Sequence, residues 1–278
     1  MPPASHQTIT PHPDGTGPHG YSLPLSPSGR SAMLTPPPWH FSGDVIMIDY
    51  RVDPRAASRF LPPGLTPGDD PGAAAAVFAT WQWCSDSGEE LSDPSRSQFS
   101  EFLILLGCAY DGAAMARCPY AWVDQAVPLV RGWVQGMPKQ YGAVHQTRHG
   151  LVGRAGSRRT EGGLFAGNIS VHGRRLVEAA VTLTGPVQEP PALHTVPLVH
   201  SLATPAWTTA VEQPAPLAAS EVTDVEFGDI WTGTGELEFF DGLDEDFAGL
   251  RPVEVGAGHV FSYAETLKGG RLLPLPEG

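Results

Sequence analysis

Apolar residues along this chain recur mostly in short runs with a period of two, and Gly, Pro and Asp cut the runs apart. Successive side chains of a strand point to opposite faces, so such runs predict half-buried β-strands. They fall at Val45–Tyr50, Ala74–Trp83, Phe99–Tyr110, Leu164–Val171, Leu176–Leu183 and Leu198–Leu202. Three more fall at Glu221–Glu226, Gly235–Phe240 and His259–Leu267. Few long segments repeat every 3.6 residues. One short helix is predicted after Asp53, a good N-cap, with Pro54 in the first helical position and Pro62-Pro63-Gly64 as the stop. So many half-buried strands close naturally as an antiparallel, barrel-like sheet with a few short helices: α+β, but mostly β.

The first 36 residues break this pattern. They are rich in Pro, Ser, Gly, Thr and His and lack apolar periodicity, so they cannot offset the entropy of ordering by burying a face. They are read as a flexible leader containing His12 and His19, and residues 37–278 as one catalytic domain beginning near Trp39 and His40. A net charge of -13 argues against nucleic acid, whose phosphates need a basic face. No apolar run is long enough to span a membrane, and no basic stretch followed by an apolar one marks the N-terminus for secretion. Three irregularly spaced cysteines, Cys84, Cys108 and Cys118, offer neither a disulfide framework nor a zinc pattern, which fits a reducing cytoplasm. The histidines show no metal-binding spacing, so no metal is expected.

Charge usage singles out one residue. Of 17 basic residues only Lys139 and Lys268 are lysines. Lys268, beside Gly269-Gly270, reads as a solvated loop residue. Lys139 follows Trp133-Val134-Gln135-Gly136-Met137-Pro138, where most neighbours are apolar, Gly or Pro. A low-dielectric setting disfavours the ammonium form, and the neutral amine is the form that attacks a carbonyl. The competing reading is a lysine reaching from a loop to water. Glu101 adds a second signal: in the strand Phe99-Ser100-Glu101-Phe102-Leu103-Ile104-Leu105 it shares a face with Phe99, Leu103 and Leu105. A carboxylate on an apolar face either marks the strand's wet end or is a buried proton carrier.

Gly136-Met137-Pro138-Lys139 resembles the Gly-aromatic-Pro-Lys segment that carries the Schiff-base lysine of the acetoacetate decarboxylase superfamily. Further landmarks are similar and in the same order: Tyr50-Arg51-Val52-Asp53, Leu61-Pro62-Pro63-Gly64-Leu65, Val222-Thr223-Asp224-Val225, Trp231-Thr232-Gly233 and Phe239-Phe240-Asp241. Glu101 falls where the family has its active-site glutamate. The resemblance implies a barrel or cone of antiparallel strands around an internal pocket, a covalent imine through Lys139 with no other cofactor, and a homo-oligomer.

The departures argue against simple acetoacetate decarboxylation. Gln140 stands where decarboxylases have a second lysine, Gly43 where they have a carboxylate-handling arginine, and Ala79 where they have a further acid. Arg131-Gly132-Trp133 replaces their Gly-Arg-Glu. Gln135, four residues before the lysine, resembles instead the branch of aldolase-dehydratases and oxo-acid cyclases of secondary metabolism. The resulting expectation is a Schiff-base lyase acting on a pyruvate-like 2-oxo acid, with an aldehyde as second reactant or with cyclisation of one substrate. Glu101, Tyr263 and Glu265 are the expected proton carriers, Gln135 orients the substrate, and Phe99, Trp133 and Met137 form apolar walls. A β-oxo acid decarboxylase and a non-catalytic ligand-binding barrel are the alternatives.

Overall fold

The computed structural model describes residue 9 and residues 16–203 and 215–274. Its strands are β1 (Trp39–Arg51), β2 (Thr66–Pro67), β3 (Ala73–Ser85), β4 (Gln98–Tyr110), β5 (Ala113–Val123), β6 (Lys139–Tyr141) and β7 (Ala143–Gln146). They continue as β8 (Leu164–Val171), β9 (Arg174–Val187), β10 (Leu198–Ser201), β11 (Leu217–Phe227), β12 (Ile230–Phe239) and β13 (Glu254–Leu273). The helices are short: α1 (Pro54–Ser58), α2 (Pro94–Ser97), α3 (Ala126–Gln135), α4 (Ala192–Thr195) and α5 (Glu245–Ala248). Asp53 caps α1 as predicted, its side chain accepting the Arg55 N–H.

Of the segment read as a leader, His12 and its neighbours lie outside the described residues. Residues 16–36 contain no helix or strand, yet Leu34 is buried and its N–H donates to the Ser22 hydroxyl.

The strands β1, β3, β4, β5, β10, β11 and β13 form a closed ring, sealed by antiparallel pairing of β1 with β13. The mostly β, barrel-centred fold expected from the periodicity is the one observed. Beyond β13 the sheet continues through β12, β9, β8 and β7 as a wing that folds back over the barrel. Alternation sorts the side chains. Odd-numbered residues such as Val45, Met47, Ala75, Val77, Ala79, Leu103 and Leu105 face inward, while Ile46, Phe78, Phe102 and Ile104 pack outward against Ile169, Val177 and Val181 of the wing. The small alanines on the inner face leave room, and the barrel holds a cavity of about 260 Å³.

Among the elements not foreseen, two run against local signals. Strand β5 contains Pro119, which cannot donate to a ladder; it falls at a bulge, where β5 hands over from β10 to β6. Helix α3 carries Pro128 in its first turns and Gly132 in its interior, both poor helix signals.

Candidate active site

Lys139 owes its position to how α3 ends. Gly136 takes a left-handed conformation (φ 77°), which costs a glycine little, and a Cβ there would strike the Ser201 carbonyl oxygen. The Met137 N–H then reaches back to the Gly132 carbonyl at 2.8 Å and the Gly136 N–H to Trp133 at 3.2 Å, satisfying the last helical acceptors. Pro138 prevents continuation, and Lys139 enters β6 opposite Ala121. Its side chain doubles back across the helix at Gly132, where an added Cβ would lie only 2.5 Å from Lys139 Cγ.

The amine ends inside the barrel. Lys139 Nζ lies 2.7 Å from Glu101 Oε1, and both residues are about nineteen-twentieths buried. The Trp81 indole N–H donates to the other carboxylate oxygen at 3.0 Å. Burial pulls the Lys139 pKa below a lysine's usual 10.5; the Glu101 carboxylate opposes this, and the Arg131 cation adds to it.

Arg131, one of the departures from the family pattern, is 1% exposed. Its guanidinium sits among the rings of Trp83, Phe41, Phe99 and Trp39, with centroids 4.5 to 5.6 Å away. Desolvation pushes its pKa down to about 9. Glu101 therefore faces two buried cations, and the buried Glu90 carboxylate also acts on Arg131.

Most of the residues predicted for the site converge on the cavity. Phe99, Gln135, Met137, Tyr263 and Glu265 line it together with Lys139 and Glu101. Tyr263 and Glu265 share a strand face and are joined, the phenol donating to Glu265 Oε2 at 2.7 Å. Burial raises the pKa of both, and the nearby Glu101 charge adds to the rise at Glu265.

Trp133 is the exception and corrects the expectation of an apolar wall. It is 62% exposed and lies outside the cavity lining, because the α3 turn carries it to the opposite face from Arg131. Its indole N–H instead donates to the Lys139 carbonyl at 2.9 Å. Lys268 is exposed as expected, but it lies in strand β13 and not in a loop.

The positions of the missing decarboxylase groups are filled by packing. A Cβ on Gly43 would meet Trp81 Cε3 at 2.6 Å, so the bare backbone is what admits the indole that holds Glu101. Ala79 pairs directly with Glu101 across β3 and β4, leaving no second carboxylate there. The neighbouring residues His194, His200 and Ser220 were not foreseen. They come from α4, β10 and β11, far from Lys139 in sequence, and the spacing of isolated histidines gave no signal. Among the described residues, no group of three or more His, Cys, Asp or Glu side chains could hold a metal ion, and no helix is long and apolar enough to cross a membrane.

A closed barrel around a buried lysine–glutamate pair defines a class of protein, and the chain belongs to the acetoacetate decarboxylase family, whose profile matches residues 22–274. Among solved structures it is similar to the enduracididine biosynthesis enzyme MppR complexed with the condensation product of pyruvate and imidazole 4-carboxaldehyde. That match has 68% identity and a TM-score of 0.91 over 94% of this chain and 98% of that one. MppR complexed with pyruvate matches at 68% identity and a TM-score of 0.90, over 94% of this chain and 100% of that one. An acetoacetate decarboxylase-like enzyme from Sphingomonas wittichii RW1 shares the fold, at 24% identity and a TM-score of 0.84 over 92% of this chain and 99% of that one. No curated protein matches the chain.

Proposed function

We propose that the protein is a Schiff-base lyase that condenses a pyruvate-like 2-oxo acid with an aldehyde and dehydrates the product, or closes a ring when one substrate carries both groups. The observation that carries this reading is the Lys139 amine, 2.7 Å from a carboxylate inside an apolar cavity. Its support is 68% identity to MppR, whose solved complexes hold pyruvate and a pyruvate–aldehyde condensation product.

In this reading Glu101 accepts a proton from the Lys139 ammonium, and the freed amine attacks the ketone carbon. The carbinolamine loses its hydroxyl as water, leaving an iminium that acts as an electron sink. Removal of a proton from the adjacent carbon gives the enamine. The enamine carbon bonds to the aldehyde carbon, and the aldehyde oxygen takes up a proton from the Glu265 carboxyl, which burial keeps protonated to higher pH than usual. Loss of the neighbouring C–H proton and of that hydroxyl as water gives the unsaturated iminium, and hydrolysis returns Lys139. Gln135 orients the substrate carboxylate or hydroxyl, Tyr263 holds Glu265, and Phe99 and Met137 exclude water. The imine is the only covalent group this chemistry calls for. Residues 37–278 act as one catalytic domain, in a cytoplasmic homo-oligomer of the kind the family resemblance implies.

Incubation with pyruvate and borohydride followed by peptide mass spectrometry tests the reading: the reduced adduct is expected on the peptide containing Lys139 and absent from Lys139→Met. No adduct on the wild-type protein favours a non-catalytic barrel. Release of carbon dioxide from acetoacetate at a rate matching condensation favours a decarboxylase, which the packing of Trp81 against Gly43 argues against.

A further inference from the structure

The polar side chains of the cavity are mostly occupied with one another. Lys139 pairs with Glu101, which also accepts from Trp81; Tyr263 donates to Glu265; the Ser220 hydroxyl lies 3.0 Å from His200 Nε2; and the Thr195 hydroxyl donates to the Ala192 carbonyl. The Gln135 and His194 side chains form no hydrogen bond within the described residues, and Arg131 Nη1 and Nη2 are buried without one among the aromatic rings. Of the two uncharged groups, His194 is held in place. Its ring stands edge-on to Tyr263 (centroids 4.5 Å apart, 79° between planes), Phe261 (5.1 Å, 89°) and Phe227 (5.9 Å, 69°). Its Nδ1 is buried without a partner. An unmet buried polar atom costs about 1–3 kcal/mol. Nδ1 is closed off, but Nε2 is not among the buried polar atoms and makes no hydrogen bond within the described residues, so the imidazole at the cavity wall keeps one nitrogen free for whatever enters.

We propose that His194 binds the oxygen of the second carbonyl reactant, as aldehyde before the carbon–carbon bond forms and as hydroxyl afterwards. This rests on the Schiff-base reading above. The oxygen is an acceptor in the aldehyde and both donor and acceptor in the hydroxyl. A single nitrogen of a neutral imidazole donates in one tautomer and accepts in the other and so can serve both states, whereas an ammonium or guanidinium group only donates and a carboxylate only accepts. Burial holds the His194 pKa down to about 4, so the ring is neutral in neutral solution and adds no third cation beside Lys139 and Arg131. Ring contact with Tyr263 places it next to the Tyr263–Glu265 pair, the proton source for the same oxygen. Phe227, which lines the cavity beside His194, favours a flat, apolar or aromatic substituent on the aldehyde.

The test separates this role from the imine. His194→Phe and His194→Gln are compared with wild type in two assays: borohydride trapping of pyruvate on Lys139, and turnover of pyruvate with benzaldehyde, read by absorbance of the conjugated product. His194→Phe is expected to trap pyruvate within about twofold of wild type while turnover falls about 10²- to 10³-fold, the loss typical of one donor to a developing oxyanion. His194→Gln, which keeps a donor and an acceptor, recovers part of kcat. Unchanged condensation by His194→Phe overturns the proposal. So does equal loss of trapping and condensation in both variants, which makes His194 structural. A wild-type protein that traps no pyruvate removes the Schiff-base reading and this one together.

Discussion

Gly132→Ala sets two opposed effects against each other at the root of the lysine. In a helix interior, alanine is favoured over glycine by about 1 kcal/mol, so propensity alone predicts a more stable protein. The new Cβ, however, would stand 2.5 Å from Lys139 Cγ and 2.9 Å from its Cβ, with Cδ nearer still. Carbon atoms in contact sit about 3.5–4.0 Å apart, so the lysine stem must retreat by about 1 Å. Overpacking of this kind costs about 1–3 kcal/mol, and the net expectation is a loss of about 0–2 kcal/mol. The functional effect is larger, because a displacement of about 1 Å of the reacting group can cost about 10²-fold in rate. Urea melts read the first quantity, and the rate of pyruvate trapping by borohydride reads the second. A variant that is more stable than wild type and traps within threefold of its rate would refute the claim that the bare helix face at residue 132 positions the amine.

Three further outcomes follow from the same geometry. In Glu101→Gln the carboxylate that holds the Lys139 pKa up is gone, so burial and Arg131 act unopposed and the trapping-rate profile moves to lower pH. Turnover falls about 10²- to 10⁴-fold with the loss of a proton carrier, and a profile displaced upward contradicts the pairing. His200 is held neutral by burial, its pKa at about 3 against an ordinary 6.5. The unfolded chain therefore takes up a proton first as pH falls, and the stability this residue contributes is full above 6.5 and drains at about 1.4 kcal/mol per pH unit below it. His200→Gln, which can still bond Ser220, should flatten chemical melts between pH 6.5 and 4 by that slope; an unchanged slope contradicts a neutral buried ring. Trp133→Phe removes the bond to the Lys139 carbonyl at a cost of about 0.5–1.5 kcal/mol and leaves trapping nearly unchanged. A tenfold slower trapping rate would return Trp133 to the site.

The strands were legible wherever period-two alternation was clean, as in Leu164–Val171, which matches β8 residue for residue. Strand β5 and helix α3 were hidden because Pro119, Pro128 and Gly132 are breakers in local terms, and tertiary pairing overrides them. Lys139 and Glu101 stood out because a cation and a carboxylate were set among apolar neighbours. Arg131 has a similar setting, but arginines are common in this sequence and one more does not stand out. The cage around Arg131 is assembled from β1, β3 and β4, and His194 meets Tyr263 only because α4 and β13 converge at the barrel. Contacts between segments so far apart leave no local pattern to read. Trp133 was misplaced because sequence proximity to the lysine does not say which face of a helix a residue occupies.

The ring is sealed by its first and last strands, with Trp39 opposite Leu267 and Ile48 opposite Gly258. Pairings so distant along the chain form late, since loop closure must precede any gain from the contact. Until β13 docks, the inner face carrying Glu101 stays open to water, and an amine in water keeps its proton. Nucleophilicity at Lys139 is thus a property acquired at the final closure of the barrel: a nascent or truncated chain lacking that strand would contain the reactive residue in an inert state.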